Sequence, residues 1–391
     1  MASGSLIVFG GHAVSRPWMP AHLRVTVFFL PERFPHHHAS RRRNLALTET
    51  APLLPSAKRF RVTTLPFTNP DSIALNNDCV VAGEIVNPDG SVSLGKWSNG
   101  VLTNLGAPPL LRSGFNRVRP FGINGSGAIV GGIYTRAGEL PARAFVHRDN
   151  NYTVLPLLHP TDLGGVAIGI NSRGQVVGFD RTSNHNTQGW LWCDGAYSSL
   201  SVSGTNTVAV GINSGGTIVG YRTVNFIQRL LTGQYRHSCQ RGYMLSHGTI
   251  QYLNGPVHAI NDLGVAAGAS TSPGQVMTTR SKGDAMATVF KDGIAAAIVS
   301  LPSAAFGINS AGDVIGFYRL GSGSRAFIWS SKCGALDITP AGYRSAVAAA
   351  INDRGDVLGY GETASGASQV FLLTPDANGE LMPKAVSSLA R

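Results

Sequence analysis

Charged residues are scarce in this chain, only 14% of 391 positions. That is low for a helical protein and suits many short strands joined by tight turns. Cysteine is scarcer: Cys79, Cys193, Cys239 and Cys333 show no CxxC or other ligand spacing. Four are too few for a disulfide scaffold at this length and leave room for one structural disulfide. No apolar run approaches the roughly 18–20 residues that a membrane-spanning helix needs, so the expectation is a soluble protein without a membrane span. Also missing are GxSxG, HExxH, a paired-carboxylate signature and a phosphate-cradling glycine loop between strand and helix. No catalytic residue, cofactor or metal ligand is therefore assigned.

Positive charge is present but unevenly placed. Residues 1–61 hold nine Lys/Arg against two acids, a net +7 of the total +11, which leaves +4 for the remaining 330 residues. A pI near 9.8 thus describes the amino-terminal stretch more than the body, and argues weakly for nucleic acid as a partner. That stretch has an apolar burst from Val25 to Leu30, then His36–His38, then Arg41–Arg43. A secretory signal runs in the other order, basic residues before an apolar core of about 7–15 residues. Residues 1–58 are read as a disordered extension or as sequence ahead of the true start, with the histidine run solvated rather than metal-bound. Residues 59–391 are read as the folded domain.

The folded part repeats itself. Residues 166–180 read VAIGINSRGQVVGFD and residues 208–222 read VAVGINSGGTIVGYR. The phrase occurs seven times, its Asn at Asn76, Asn124, Asn171, Asn213, Asn261, Asn309 and Asn352, spaced by 48, 47, 42, 48, 48 and 43 residues. Gly always follows seven positions later, and also three positions later in every copy except the first, which has Cys79. Two residues before each Asn sits Gly or Ala. Each unit then continues with an apolar or aromatic run, such as GWLWCDG (189–195) or SRAFIW (324–329), a turn, and a segment ending in Leu.

Each unit therefore holds four short apolar runs bounded by Gly, Asp and Asn, the mark of strands rather than helices. Four antiparallel strands in one such unit make a propeller blade. A β-solenoid is the competing repeat architecture, but its coils need fewer residues and fewer hairpins, and seven units suit radial closure. The expected fold is all-β, a seven-bladed propeller. Its last unit has Pro383 where a fourth strand would run, and Pro suits strand interiors badly. RFRVTTLP (59–66) resembles an orphan fourth strand, so the expectation is that it joins the last blade.

The repeated residues read first as construction. Asn side chains bond to nearby amides at turn starts, and the Gly three later accepts a positive φ. A ring of seven Asn holding a ligand is the alternative. The small residue two before the Asn allows inner strands to approach at the axis, and the last Gly is expected to relieve crowding between sheets or to begin the long loop. At Cys79 a left-handed turn would cost on the order of 1 kcal/mol; otherwise the hairpin takes a different turn through Asn77 or Asp78.

INxxGxVVG, followed by a run such as RAFIW and a DG-type turn, resembles the HAF repeat family of bacterial proteins. The resemblance runs from residue 59 to about 375. It implies repeats located outside the cell, extracellular or periplasmic, and it carries no catalytic residues.

Function is expected on the loops that vary between copies, since binding residues sit on such loops above a rigid scaffold. The second-to-third loops are rich in arginine, and Arg136, Arg181, Arg222, Arg229, Arg236, Arg319 and Arg325 are the candidate binding residues. Together they suggest a basic face for an anionic polysaccharide, another polyanion or an acidic protein partner on a monomeric, non-catalytic scaffold. The alternative is a hydrolase or lyase with a site at the channel mouth, where His159, Asp162, His185 and His258 would converge. DANGE (376–380) faintly resembles a calcium loop but lacks the remaining ligands.

Overall fold

The computed structural model describes residues 59–108, 115–135, 141–230, 233–270 and 285–386, the side chains of 115–116, 135, 141–142 and 225–238 excepted. The expected extension 1–58, with its His36–His38 run, lies outside the described residues. Seven antiparallel sheets form, six of four strands and one of five, with four blade strands each in sequence order or its closed-ring equivalent, and there is no α-helix among the described residues. The fold is a seven-bladed β-propeller. The inner strands are Ile73–Leu75, Phe115–Ile123, Gly164–Ile170, Thr205–Ile212, Val257–Ile260, Ser303–Ile308 and Tyr343–Ile351. The four cysteines are free thiols.

The repeated Asn has a larger role than its own hairpin. Each Asn Oδ1 accepts the N–H four residues on, at 2.8–3.0 Å, which holds the turn. Each Nδ2 donates to the main-chain carbonyl of the Asn in the next blade, at 3.0–3.3 Å, and Asn352 donates to Asn76. Seven buried amides thus make a closed hydrogen-bonded ring around the axis. The ligand-holding alternative for these residues finds the amide atoms already engaged with protein. At the turn position Gly174 has φ +78°, and Cys79 takes the same left-handed conformation at φ +59°. The first hairpin keeps the common turn, with Cys79 N–H donating to Asn76 O at 3.2 Å. Its side chain sits at a backbone angle that costs about 1–2 kcal/mol, and burial raises the thiol pKa to about 11.

The small residue two before the Asn does stand where inner strands approach. A Cβ at Gly122 would lie 2.9 Å from Ile168 O, and one at Gly169 would lie 3.3 Å from Val210 O, both in the next blade. The last Gly of the phrase neither relieves crowding between sheets nor begins a loop. It lies inside the second strand, as Gly178 does in Val176–Arg181. There a Cβ would meet Val166 O of the inner strand at 2.0 Å and the Trp190 ring of the third strand at 2.8 Å. Trp190 is paired directly across from Gly178, as Phe145 is from Gly131, Tyr243 from Gly220, Phe327 from Gly316 and Phe371 from Gly359. A strand glycine here marks the place where an aromatic side chain occupies the missing Cβ's space. In the first blade Phe67 fills that space over Gly83.

Phe60–Leu65 pairs antiparallel with Ser368–Pro375, from Phe60↔Pro375 to Leu65↔Val370, and forms the outer strand of the seventh blade. Beyond it the chain continues as a strap. Phe60 and Leu381 exchange two main-chain hydrogen bonds at 2.9 and 3.0 Å. Lys384–Ala385, just past Pro383, then adds a fifth strand to the sixth blade. The DANGE segment belongs to this strap: Asp376 pairs with Arg61, and Glu380 Oε1 accepts the Val62 N–H at 2.9 Å.

Candidate functional site

The two ends of the propeller differ. Turns between first and second strands, and between third and fourth, are short and alike, and they share one end. The opposite end carries the second-to-third loops and the links between blades. In the fourth blade the second-to-third segment that carries Arg222, Arg229 and Arg236 is not a loop but a continuation of two paired strands, Ile218–Leu230 and Gly233–Ser246, in register from Ile218↔Leu245 to Leu230↔Gly233. The corresponding strand of the third blade ends at Arg181, the counterpart of Thr223. At ~3.4 Å per residue the ribbon extends roughly 20 Å farther.

The candidate arginines are spread over several blades. Arg181 Nη2 approaches His185 Nδ1 at 3.2 Å in the third blade. Arg325 donates through Nε to Asp337 Oδ2 at 3.1 Å; that carboxylate also accepts from Tyr318 at 2.8 Å, so Arg325 is engaged inside the sixth blade. Arg319, in the same blade, is half-buried, and burial lowers its pKa. Arg229 and Arg236 occupy the ribbon at register positions opposite Gln234 and Ile227. Arg136 lies outside the described residues.

The geometry singles out the base of the ribbon, where Arg222 and Arg241 are direct cross-strand partners. Arg222 donates through Nη1 to Ser203 O at 2.6 Å and lies over the Tyr252 ring, 4.0 Å from its centroid. Tyr252 is 45% exposed, and its hydroxyl meets Ser203 Oγ at 2.8 Å. Arg241 donates to Asn254 Oδ1. Among the described residues neither guanidinium is paired with a carboxylate. Two like charges directly opposite each other in a sheet destabilise it, and neutral acceptors leave their charge standing. Sequence reasoning named Arg222 among the candidate arginines. Arg241 was not among them, because opposition is a property of register.

The four residues expected at the channel mouth do not line one cavity together. His258 lines a cavity on the axis, whereas His159, Asp162 and His185 are not among its lining residues. Asp162 Oδ2 instead accepts the His159 N–H at 3.1 Å within one link, and His185 sits in a turn at φ +65°.

A second carboxyl, Asp180, matters for stability. It is 1% exposed and accepts Leu158 N–H at 2.6 Å and Trp190 Nε1–H at 2.7 Å. Gly165 makes the room, since a Cβ there would fall 2.1 Å from Asp180 Oδ1. Burial outweighs the two donors, and Asp162 adds to it, so the pKa rises to about 6. The unfolded value is near 3.9. Between about pH 4 and pH 6 the folded state holds the proton more tightly, so stability falls as pH rises through that window and levels above it. A shift of about two units corresponds to roughly 2–3 kcal/mol. Urea denaturation at pH 4.5 and 7.5 should show that decline in the wild type and a much smaller one in Asp180→Asn. Equal declines in both would refute this assignment.

No family model matches the chain, and no curated protein matches it. Several solved structures are similar in shape. A puromycin-hydrolyzing peptidase of Mycobacterium tuberculosis is 12% identical with TM-score 0.50, over 83% of this chain and 52% of that one. The chain thus spans about half the length of that peptidase. A PL25 polysaccharide lyase, an ulvan lyase, is 11% identical with TM-score 0.44, covering 85% of this chain and 98% of that one. The BP39L lectin from Burkholderia pseudomallei is 10% identical with TM-score 0.43, covering 84% and 98%. At such identities the likeness is one of fold alone.

Proposed function

We propose that this protein is a non-catalytic binding propeller that takes an anionic partner on its variable-loop end, at the base of the fourth-blade ribbon. The observation that carries the reading is the pair Arg222 and Arg241, directly opposite in register and held by neutral acceptors. Their mutual repulsion falls when an anionic group sits between or above them, which couples ligand charge to sheet stability. An acidic polysaccharide or an acidic protein surface presents such groups in series. Arg181 of the neighbouring blade, and the ribbon's Arg229 and Arg236, would extend the contact. Membership of the HAF repeat family, and with it an address outside the cell, is part of this proposal and rests on the seven matched phrases.

The test is a panel of heparin, polygalacturonate and polyglutamate against the full chain at low and high salt. Binding should weaken steeply as salt rises, because phosphate-, sulfate- or carboxylate-rich polymers release counterions on contact. The double variant Arg222→Ala/Arg241→Ala should lose about tenfold or more in affinity, about 1.4 kcal/mol, and should not melt lower than wild type. No binding at low salt to any member would overturn the proposal.

A further inference from the structure

A second concave feature lies on the axis. A cavity of about 310 Å³ is lined by inner-strand residues of the blades and by Pro70 and Asp71. Its wall has three levels. Two residues before each Asn are the small residues that let strands touch, and one before stands Leu75 or Ile in every blade. The level three before the Asn breaks the pattern: Ile73, Phe121, Ile168, Val210, His258, Phe306 and Ala349.

That level is where the inner strands bulge. The register slips between Pro120 and Gly122, Ala167 and Gly169, Ala209 and Gly211, Val257 and Ala259, Ala305 and Gly307, and Ala348 and Ala350. The skipped residues, from Phe121 to Ala349, have no cross-strand Cα partner, and each of them lines the cavity. A bulge re-aims a side chain, and here it does so six times toward one axis. Large apolar side chains at these positions are not required by the hairpin or by sheet pairing. Ile168, Val210 and Phe306 are 6%, 7% and 7% exposed there, so they form a packed apolar wall around the axis.

The level is also lopsided, unlike the uniform levels beside it. Ala349 is the smallest member and stands between Phe306 and Ile73 in ring order, which leaves a slot at the seventh blade. His258 is fixed through Nδ1 to Ala305 O at 2.7 Å and lies against Phe306, ring centroids 5.4 Å apart. Lopsidedness gives a ligand one preferred orientation in a ring that otherwise offers seven equivalent ones.

We infer that the axial cavity is a binding site for a small uncharged aromatic molecule, with its ring edge in the slot at Ala349. An apolar cavity of about 150 Å³ accepts one benzene, so this one has room for about two rings, and backbone groups at the bulged strand edges can meet a polar substituent. The site is separate from the arginine pair, and its affinity should not depend on salt.

The probe is the neutral two-ring dye 6-propionyl-2-(dimethylamino)naphthalene, titrated into the full chain by fluorescence at low and high salt. The expected result is one saturable site with the same affinity at both. Ala349→Phe, which fills the slot, and Val210→Phe, from across the ring, should each weaken binding about tenfold or more, since a filled pocket excludes its ligand. Hydrogen exchange on the wild type gives a reading independent of variants: the probe should protect amides in Gly164–Ile170, Val257–Ile260 and Ser303–Ile308. No saturable binding, undiminished binding to both folded variants, or protection confined to outer strands would each overturn the inference. Salt-sensitive binding would do so as well, and would direct attention to the arginine face.

Discussion

A chain lacking residues 59–66 should melt at least ~10 °C below the full chain, or fail to fold. The deleted strand buries Phe60 and Leu65, 3% and 4% exposed, each worth about 1.5–3 kcal/mol in apolar burial. Its removal also exposes the edge of Ser368–Pro375, whose main-chain groups then lack partners. A loss of roughly 5 kcal/mol or more moves the melting point by ten degrees or more, at about 2–4 °C per kcal/mol for large domains.

A finer pair of variants separates strand pairing from mere bulk. Phe60 and Val62 turn their N–H groups outward, to Leu381 O and Glu380 Oε1. Alternation then aims Arg61, Thr63 and Leu65 inward at Ser368–Pro375. Thr63→Pro should therefore cost ~3 kcal/mol, and Val62→Pro, which gives up one exposed contact, clearly less. Equal melting points for both, or an unchanged melt on deletion, would show that this pairing does not hold the ring closed. Calorimetry on the three variants decides it.

The second large effect concerns the Asn ring. Asn124→Ala should lose about 3–5 kcal/mol, the range for breaking a buried hydrogen-bond network. Three contacts go at once: Nδ2 to Asn171 O at 3.1 Å, and Oδ1 from Ala128 N–H at 3.0 Å and Ser126 Oγ at 2.8 Å. Asn124→Asp keeps the Oδ1 acceptor and lacks the donor to the next blade, so its loss reads the inter-blade bond. About 2 kcal/mol or more is expected, because an acceptor then faces a buried carbonyl. Denaturant midpoints of the two variants are the measurement. A wild-type midpoint for Asn124→Asp would mean that the ring bond adds nothing and that the Asn serves its own turn alone.

Much of the blade was legible because it is local. Asn, Gly three later and Gly seven later occur within one hairpin, and their spacing follows from strand length and turn type. Seven copies counted the blades. The bonds from one Asn to the next span 42 to 48 residues, and the final pair spans 276. No spacing within a repeat announces them. The last Gly was misplaced for a similar reason. Its partner aromatic lies on another strand, and the pairing of Gly178 with Trp190 exists only once the register is set.

The site was legible only as a tendency. Arginine enrichment on the long copies was visible in the residues, and Arg222 was among those named. Arg325, named with it, is bound to Asp337 within its own blade, as its distance of twelve residues from a carboxylate does not by itself show. Arg222 and Arg241 become a pair only because the register of their two strands places them opposite each other, just before the ribbon runs on past its neighbours. The axial level behaves alike: Phe121, His258 and Ala349 look like ordinary strand residues until six bulges turn them to one axis.

The sequence by itself determined the fold class, the number of blades and the turn chemistry, since these depend on short-range periodicity and on which residues accept a positive φ. Tertiary structure alone decided which Asn bonds to which carbonyl, which glycine lies under which aromatic ring, and which arginines stand face to face. Those depend on register and on ring closure, which bring together residues that the chain itself holds far apart.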